Sequence, residues 1–116
     1  MVDEERVVLV RDQNCASFLE APASVVVFGI VPCPQCEEYD PIVRQAAEKY
    51  DGSVRFGKAK LHVPGACREI KRKYRFESFP TTHFYREGNL VHNAEGKLDL
   101  PTLTQTIKKV LLNSSH

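Results

Sequence analysis

Ser24-Val25-Val26-Val27-Phe28-Gly29-Ile30-Val31-Pro32-Cys33-Pro34-Gln35-Cys36 decides how the rest of the chain is read. Ser24 to Gly29 is continuous and apolar, the pattern of a strand buried on both faces of a parallel or mixed sheet. Only Ile30-Val31-Pro32 separates it from a C-x-x-C pair, Cys33 and Cys36. From about Pro34 to Tyr50, apolar residues Tyr39, Ile42, Val43, Ala46, Ala47 and Tyr50 recur at three- and four-residue spacing, which predicts a helix. Cys33 is then its N-cap, and Pro34 takes the first helical position, where a missing N–H costs nothing. Pro41 lies inside the pattern and is expected to kink the helix rather than end it. Asp51-Gly52 closes it.

The flanks alternate in type. Val7 to Val10 reads as a short first strand. Asp12 or Asn14 caps a helix carrying Cys15, Phe18 and Leu19, which Pro22 ends. Beyond the long helix, Ser53 to Leu61 is a second interior strand. Pro64 opens a further helix with Cys67, Ile70 and Tyr74 on one face. Thr81 to Tyr85 and Leu90 to His92, joined through Arg86-Glu87-Gly88-Asn89, read as a β-hairpin. A last helix starts at Pro101 and turns Leu103, Ile107, Val110 and Leu111 inward. The order βαβαβαββα predicts an α/β fold with a mixed sheet of about five strands flanked by about four helices. No repeat, linker or low-complexity segment breaks it, so residues 1–116 are expected to form one domain with its core over about 7–112.

Composition narrows the function. The chain has 116 residues, 42% hydrophobic and 27% charged, which is ordinary for a globular protein. Sixteen Lys and Arg against fifteen Asp and Glu leave a net charge of +1, without the basic excess of a nucleic-acid binder. No apolar run approaches the roughly 20 residues of a membrane span. The opening Met-Val-Asp-Glu-Glu-Arg is acidic where a secretory signal is basic and then apolar, so a cytoplasmic location is expected, or the secretory-pathway lumen if this is an excised domain.

A C-x-x-C at a strand-to-helix junction has two chemical readings. The unpaired amides and positive dipole end of the helix stabilise an anion, which lowers the Cys33 thiol pKa. Cys36, one turn on, reaches Cys33, and such a dithiol can attack a disulfide, form a mixed disulfide and release product through the second sulfur. Cys33 is then the nucleophile and Cys36 the resolving thiol. The other reading is half of a zinc site, for which His62, Cys67 and His83 are at hand but no second ligand pair is. The β-α setting favours redox chemistry, with no metal and no cofactor required.

Several motifs together resemble the thioredoxin family: the strand-C-x-x-C-helix unit, Pro41, the segment Tyr74-Arg75-Phe76-Glu77-Ser78-Phe79-Pro80-Thr81, the hairpin with Gly88, and Gly96 before the last helix. The likeness runs from about Val7 to Leu112. It implies a thioredoxin fold and a redox-active dithiol opposite a cis Pro80. Pro32, Phe79 and Thr81 would border the substrate, with Phe79 offering its backbone to an extended segment as in strand addition. Pro34 and Gln35 complete the motif, and Lys60 matches a family lysine that favours thiolate. The chain departs from the family where thioredoxins read Trp-Cys-Gly-Pro-Cys, and it has no Trp. The family's buried carboxylate, six residues before the first cysteine, falls on Val27.

The resemblance implies a disulfide reductase acting on protein disulfides, reset by a separate reductase or oxidase. The alternatives are an oxidase or isomerase like a protein disulfide isomerase domain, a glutaredoxin-like enzyme, and a redox-inactive peptide-binding adaptor. Cys15 and Cys67 read as small buried hydrophobes; the alternative, a regulatory thiol or a Cys15–Cys67 bridge, is disfavoured because they fall on separate helices. Glu37 and Glu38 read as a solvated first turn, His62 as an exposed loop residue, and His92 as surface. His83 is expected to contact substrate, and His116 to be tail. Arg68, Lys71, Arg72, Lys73 and Arg75 form a basic face able to steer acidic partners. Asn113-Ser114-Ser115 fits a glycosylation sequon that matters only in a secreted context.

Overall fold

The computed structural model describes residues 6–62 and 65–112. Five strands form one mixed sheet in the order β1-β3-β2-β4-β5. They are β1 (Val7–Leu9), β2 (Ser24–Gly29), β3 (Arg55–Lys60), β4 (Thr81–Arg86) and β5 (Asn89–Glu95). β1 and β2 run parallel to β3, while β4 is antiparallel to both β2 and β5. The helices are α1 (Asp12–Leu19), α2 (Pro34–Lys49), α3 (Arg68–Lys73) and α4 (Leu100–Ile107), the last continuing into a π-helical turn, Lys108–Leu112. The predicted α/β architecture and element order are observed.

The apolar run of β2 exists because both faces of the sheet are covered. Val25 packs with Tyr39, Val43, Phe56, Phe84, Leu103 and Ile107 under α2 and α4. Val26 and Phe28 pack with Val10, Phe18, Cys67, Ile70 and Tyr85 under α1 and α3. Alternate residues of a strand point to opposite faces, so two packed faces demand an unbroken apolar strand.

Several element boundaries differ from those read in the sequence. The β3 ladder starts at Arg55 rather than Ser53, since Ser53 and Val54 are bonded back to Tyr50 in the turn after α2. The α3 helix starts at Arg68: Cys67 has φ of 51°, a left-handed conformation that cannot lie within a right-handed helix. Pro64, read as that helix's opening residue, lies outside the described residues, as do Asn113, Ser114, Ser115 and His116. The α4 helix begins one residue before Pro101, capped by Asp99, whose Oδ1 accepts from the Thr102 N–H at 2.9 Å. The hairpin turn is Glu87-Gly88, both at positive φ, and β5 runs on to Glu95. Pro41 sits inside α2 without ending it.

Candidate active site

The end of β2, the start of β4 and the start of α2 meet at one end of the sheet. Phe28 pairs with Thr81, so Pro80 lies at the same end as Gly29. The peptide bonds Val31–Pro32 and Phe79–Pro80 are both cis. Cys33 caps α2 in extended conformation, with Pro34 behind it, and its Sγ accepts from the Cys36 N–H at 3.1 Å. Cys33 and Cys36 form a disulfide, with Cα atoms 5.2 Å apart. A Cβ at Gly29 would stand 3.2 Å from the Cys36 sulfur, so the absence of a side chain there lets the sulfur lie against the strand. Cys33 is 8% exposed, and Cys36 is half-buried.

Behind Cys36 lies a cavity of about 310 Å³. Val27, Tyr39, Asp40, Lys58 and Lys60 are on its wall. Asp40 Oδ1 accepts from Lys58 Nζ at 3.3 Å, and Oδ2 from Arg44 Nε at 3.1 Å. The Tyr39 hydroxyl pairs with Thr82 Oγ1 at 2.8 Å, and burial pushes its pKa up to about 12, so it stays neutral. Asp40 and Lys58 carried no role in the sequence reading. The signals were present: Asp40 is i+4 from Cys36, hence on its helix face, and Lys58 is two residues from Lys60, hence on its strand face.

The remaining expected residues divide. Pro32 and Gln35 are exposed beside the pair, Phe79 is half-buried, and Pro80 is buried with its carbonyl accepting from the Gly96 N–H at 2.7 Å. Thr81 is buried and its hydroxyl donates to Ser78 O at 2.6 Å, which holds the loop before Pro80. Lys60 is exposed. His83, expected to contact substrate, is instead a core residue, 1% exposed. Phe28, Tyr74 and Phe76 surround its ring, and Nδ1 pairs with the Tyr85 hydroxyl at 2.7 Å. Burial lowers its pKa to about 4. The reason is topological: β4 is an inner strand covered on both sides, so it has no solvent face to give.

Cys15 and Cys67 were expected not to pair; they form a disulfide, with Cα atoms 5.8 Å apart. The segment between β3 and α3 folds back on the start of α1. Asp12 N–H donates to Gly65 O, and the Asp12 carboxylate accepts from the Arg68 N–H at 2.8 Å and Nε at 2.6 Å. The Arg68 amide and guanidinium hold the Asp12 carboxyl below its usual range. The basic face is largely engaged: Lys71 donates to Leu61 O, Arg72 pairs with Glu69, and Arg75 with Glu77. His62, His92, Glu37 and Glu38 are exposed, as read from the sequence. Among the described residues no group of three or more His, Cys, Asp or Glu gathers as a metal site. No helix among them is long and apolar enough to cross a membrane.

Comparison with known proteins accords with this geometry. The Thioredoxin family model matches residues 6–109. A chloroplastic M-type thioredoxin of Spinacia oleracea is 30% identical over 113 residues, covering 92% of this chain and 60% of the relative. One from Brassica napus is 31% identical over 105 residues, covering 89% and 58%. The chain thus spans about 60% of the length of these relatives. The crystal structure of Chlamydomonas reinhardtii thioredoxin f2 superposes with a TM-score of 0.76 at 21% identity, covering 89% of this chain and 94% of that one, and it shares the fold.

Proposed function

The chain belongs to the thioredoxin family, and on that premise we propose that it is a thiol–disulfide oxidoreductase that reduces protein disulfides. The observation that carries the reading is the Cys33–Cys36 pair at the N-terminus of α2, with the Cys36 N–H directed at the Cys33 sulfur. The reading takes residues 1–116 as one domain with its core over about 7–112. In the reduced protein that amide and the helix dipole favour a thiolate at Cys33. The thiolate attacks a substrate disulfide, and a mixed disulfide forms while one substrate sulfur leaves. Cys36 then attacks Cys33 Sγ, which expels the second substrate sulfur and closes the Cys33–Cys36 disulfide. Two electrons pass to the substrate.

Around this pair, Pro32, Pro34 and Gln35 set the shape of the exposed loop. Phe79, before Pro80, offers its backbone to an extended substrate segment, with the Thr81 hydroxyl bracing the turn behind them. Lys60 adds positive charge on the side that favours thiolate. The exchange itself takes place between sulfurs and needs no bound cofactor. A separate reductase returns the pair to the dithiol, and the cytoplasm is a compartment reducing enough for that direction.

The second disulfide favours another reading. Cys15–Cys67 joins α1 to the residue that precedes α3, and structural disulfides persist in oxidising compartments. There the same exchange runs in reverse, as an oxidase or isomerase. The reduction potential of Cys33–Cys36, measured in glutathione buffers with trapped thiols and mass spectrometry, separates the two. A value near about −270 mV supports the reductase, and one near about −180 mV or above supports the oxidase or isomerase. Failure to form this disulfide at any poise overturns both, and leaves a peptide-binding adaptor whose binding survives Cys33→Ser.

A further inference from the structure

The cavity behind Cys36 is lined by apolar residues and by Glu37, Tyr39, Asp40, Lys58 and Lys60, and among these Asp40 and Lys58 form a half-buried ion pair, each with a side chain 33% exposed. We propose that Asp40, held in place by Lys58 and Arg44, is the group that takes the proton from Cys36 when it resolves the mixed disulfide. The inference rests on the disulfide-exchange reading above and adds to it the route of the resolving proton.

Three observations converge on Asp40. Cys36 and Asp40 are four residues apart on α2, which sets their Cβ atoms about 5–6 Å from one another on one face. Both line the same cavity. On the opposite wall β2 carries Val27, whose pairing partner across the ladder is Lys58, so β2 presents no ionisable group there.

The other charged and titratable groups nearby do not fill the role. Glu37 also lines the cavity, but it is exposed and adjacent to Cys36 in sequence, and successive helical residues diverge. Tyr39 is bonded to Thr82 and stays neutral. Lys58 and Arg44 donate to Asp40 itself, and Lys60 is an exposed hydrogen-bond donor rather than a carboxylate. β1 contributes only Val7 to the wall.

The step balances as follows. The Cys36 S–H bond breaks, and its proton passes to the Asp40 carboxylate. The Cys36 thiolate forms a bond to Cys33 Sγ, and the bond from Cys33 to the substrate sulfur breaks. The departing substrate thiolate is protonated from solvent, to which Asp40 returns its proton. No oxidant or reductant beyond enzyme dithiol and substrate disulfide is involved.

The test follows the resolving step alone. The reduced chain of residues 1–116 is mixed with 5,5′-dithiobis(2-nitrobenzoate), quenched in acid at intervals, and the adduct on Cys33 is followed by peptide mass spectrometry as it decays to the Cys33–Cys36 disulfide. Positioned acid–base groups contribute on the order of 10²–10⁴-fold, so Asp40→Asn is expected to slow this decay at least about tenfold at pH 7. The gap should close above about pH 9, where an ordinary thiol ionises unaided. Asp40→Glu, which keeps the carboxylate, should return the rate to within about threefold of wild type. It also guards against a folding defect in Asp40→Asn, as does a matching circular dichroism spectrum. Decay of Asp40→Asn at the wild-type rate at pH 7 overturns the assignment of Asp40 while leaving the exchange mechanism standing. If wild-type protein forms no adduct at Cys33, or the adduct never resolves onto Cys36, the exchange mechanism falls and this proposal with it.

Discussion

The backbone N–H of Cys36 points at the sulfur of Cys33 across 3.1 Å, while Cys36 itself, the less covered of the two, opens on the cavity that holds Asp40. Electrostatics therefore favours an anion at Cys33, and exposure alone would have favoured Cys36. We expect electrostatics to win, because a helix N-terminus stabilises thiolate and attack is carried by thiolate. Iodoacetamide should label Cys33 first, with a pH midpoint below the ordinary thiol value of about 8.5. Cys33→Ser should abolish disulfide reduction, and Cys36→Ser should accumulate a mixed disulfide on Cys33. Labelling of Cys36 ahead of Cys33 would reverse the two roles.

Cys15 and Cys67 are separated by 52 positions, so their bond closes a long loop in the unfolded chain. The chain-entropy estimate for a loop of that size is about 4 kcal/mol. Urea unfolding of Cys15→Ala/Cys67→Ala, with the active-site pair oxidised in both proteins, should show a loss of about 2–5 kcal/mol. A loss under about 1 kcal/mol would mean that the bond contributes nothing in solution.

Legibility in the sequence followed how local the cause was. The run Ser24–Gly29, Pro34 after a capping Cys33, and Glu87-Gly88 between two strands each obey rules that span a few residues, and each was read correctly. Cys67 was not: nothing local announces a left-handed cysteine, and its meeting with Cys15 depends on the path of the segment after β3. His83 was misread because its surroundings follow from strand order, which puts β4 between β2 and β5. Asp40 and Lys58 sat in legible periodic positions, but their meeting needed the packing of α2 over β3.

The imidazole of His83 is buried among aromatic rings with its pKa lowered to about 4, against an ordinary value of 6.5. The unfolded chain therefore takes up a proton at a higher pH than the folded one. Stability from this site is intact above about pH 6.5, falls as pH drops from there to about 4, and then levels, a loss of up to about 3 kcal/mol. His83→Gln, which keeps a partner for the Tyr85 hydroxyl, should flatten that part of the stability curve. Urea midpoints at pH 7.5, 6, 5 and 4.5 for the two proteins test this. Parallel curves would show that His83 protonates as readily in the folded state as in the unfolded one.

Gly57 lies in β3 between β1 and β2, where a Cβ would come 2.5 Å from Val10 Cγ2 and 2.7 Å from Phe18 Cζ. Both of those side chains are buried, so neither can swing out into solvent. In an open strand position Gly→Ala gains roughly 0.5–1 kcal/mol by reducing the freedom of the unfolded chain. Here overpacking opposes that gain with about 1–3 kcal/mol, and we expect overpacking to prevail. Gly57→Ala should lower the Tm by several degrees, given about 4–8 °C per kcal/mol for a domain somewhat smaller than this one. The decisive comparison introduces Gly57→Ala into a Val10→Ala/Phe18→Leu background, where both groups that the methyl would strike are cut back. Alanine at position 57 should cost little there, so that its effect is strongly non-additive with those two changes. Additive losses would mean that the backbone shifts to make room, and that Val10 and Phe18 do not fix the spacing at Gly57.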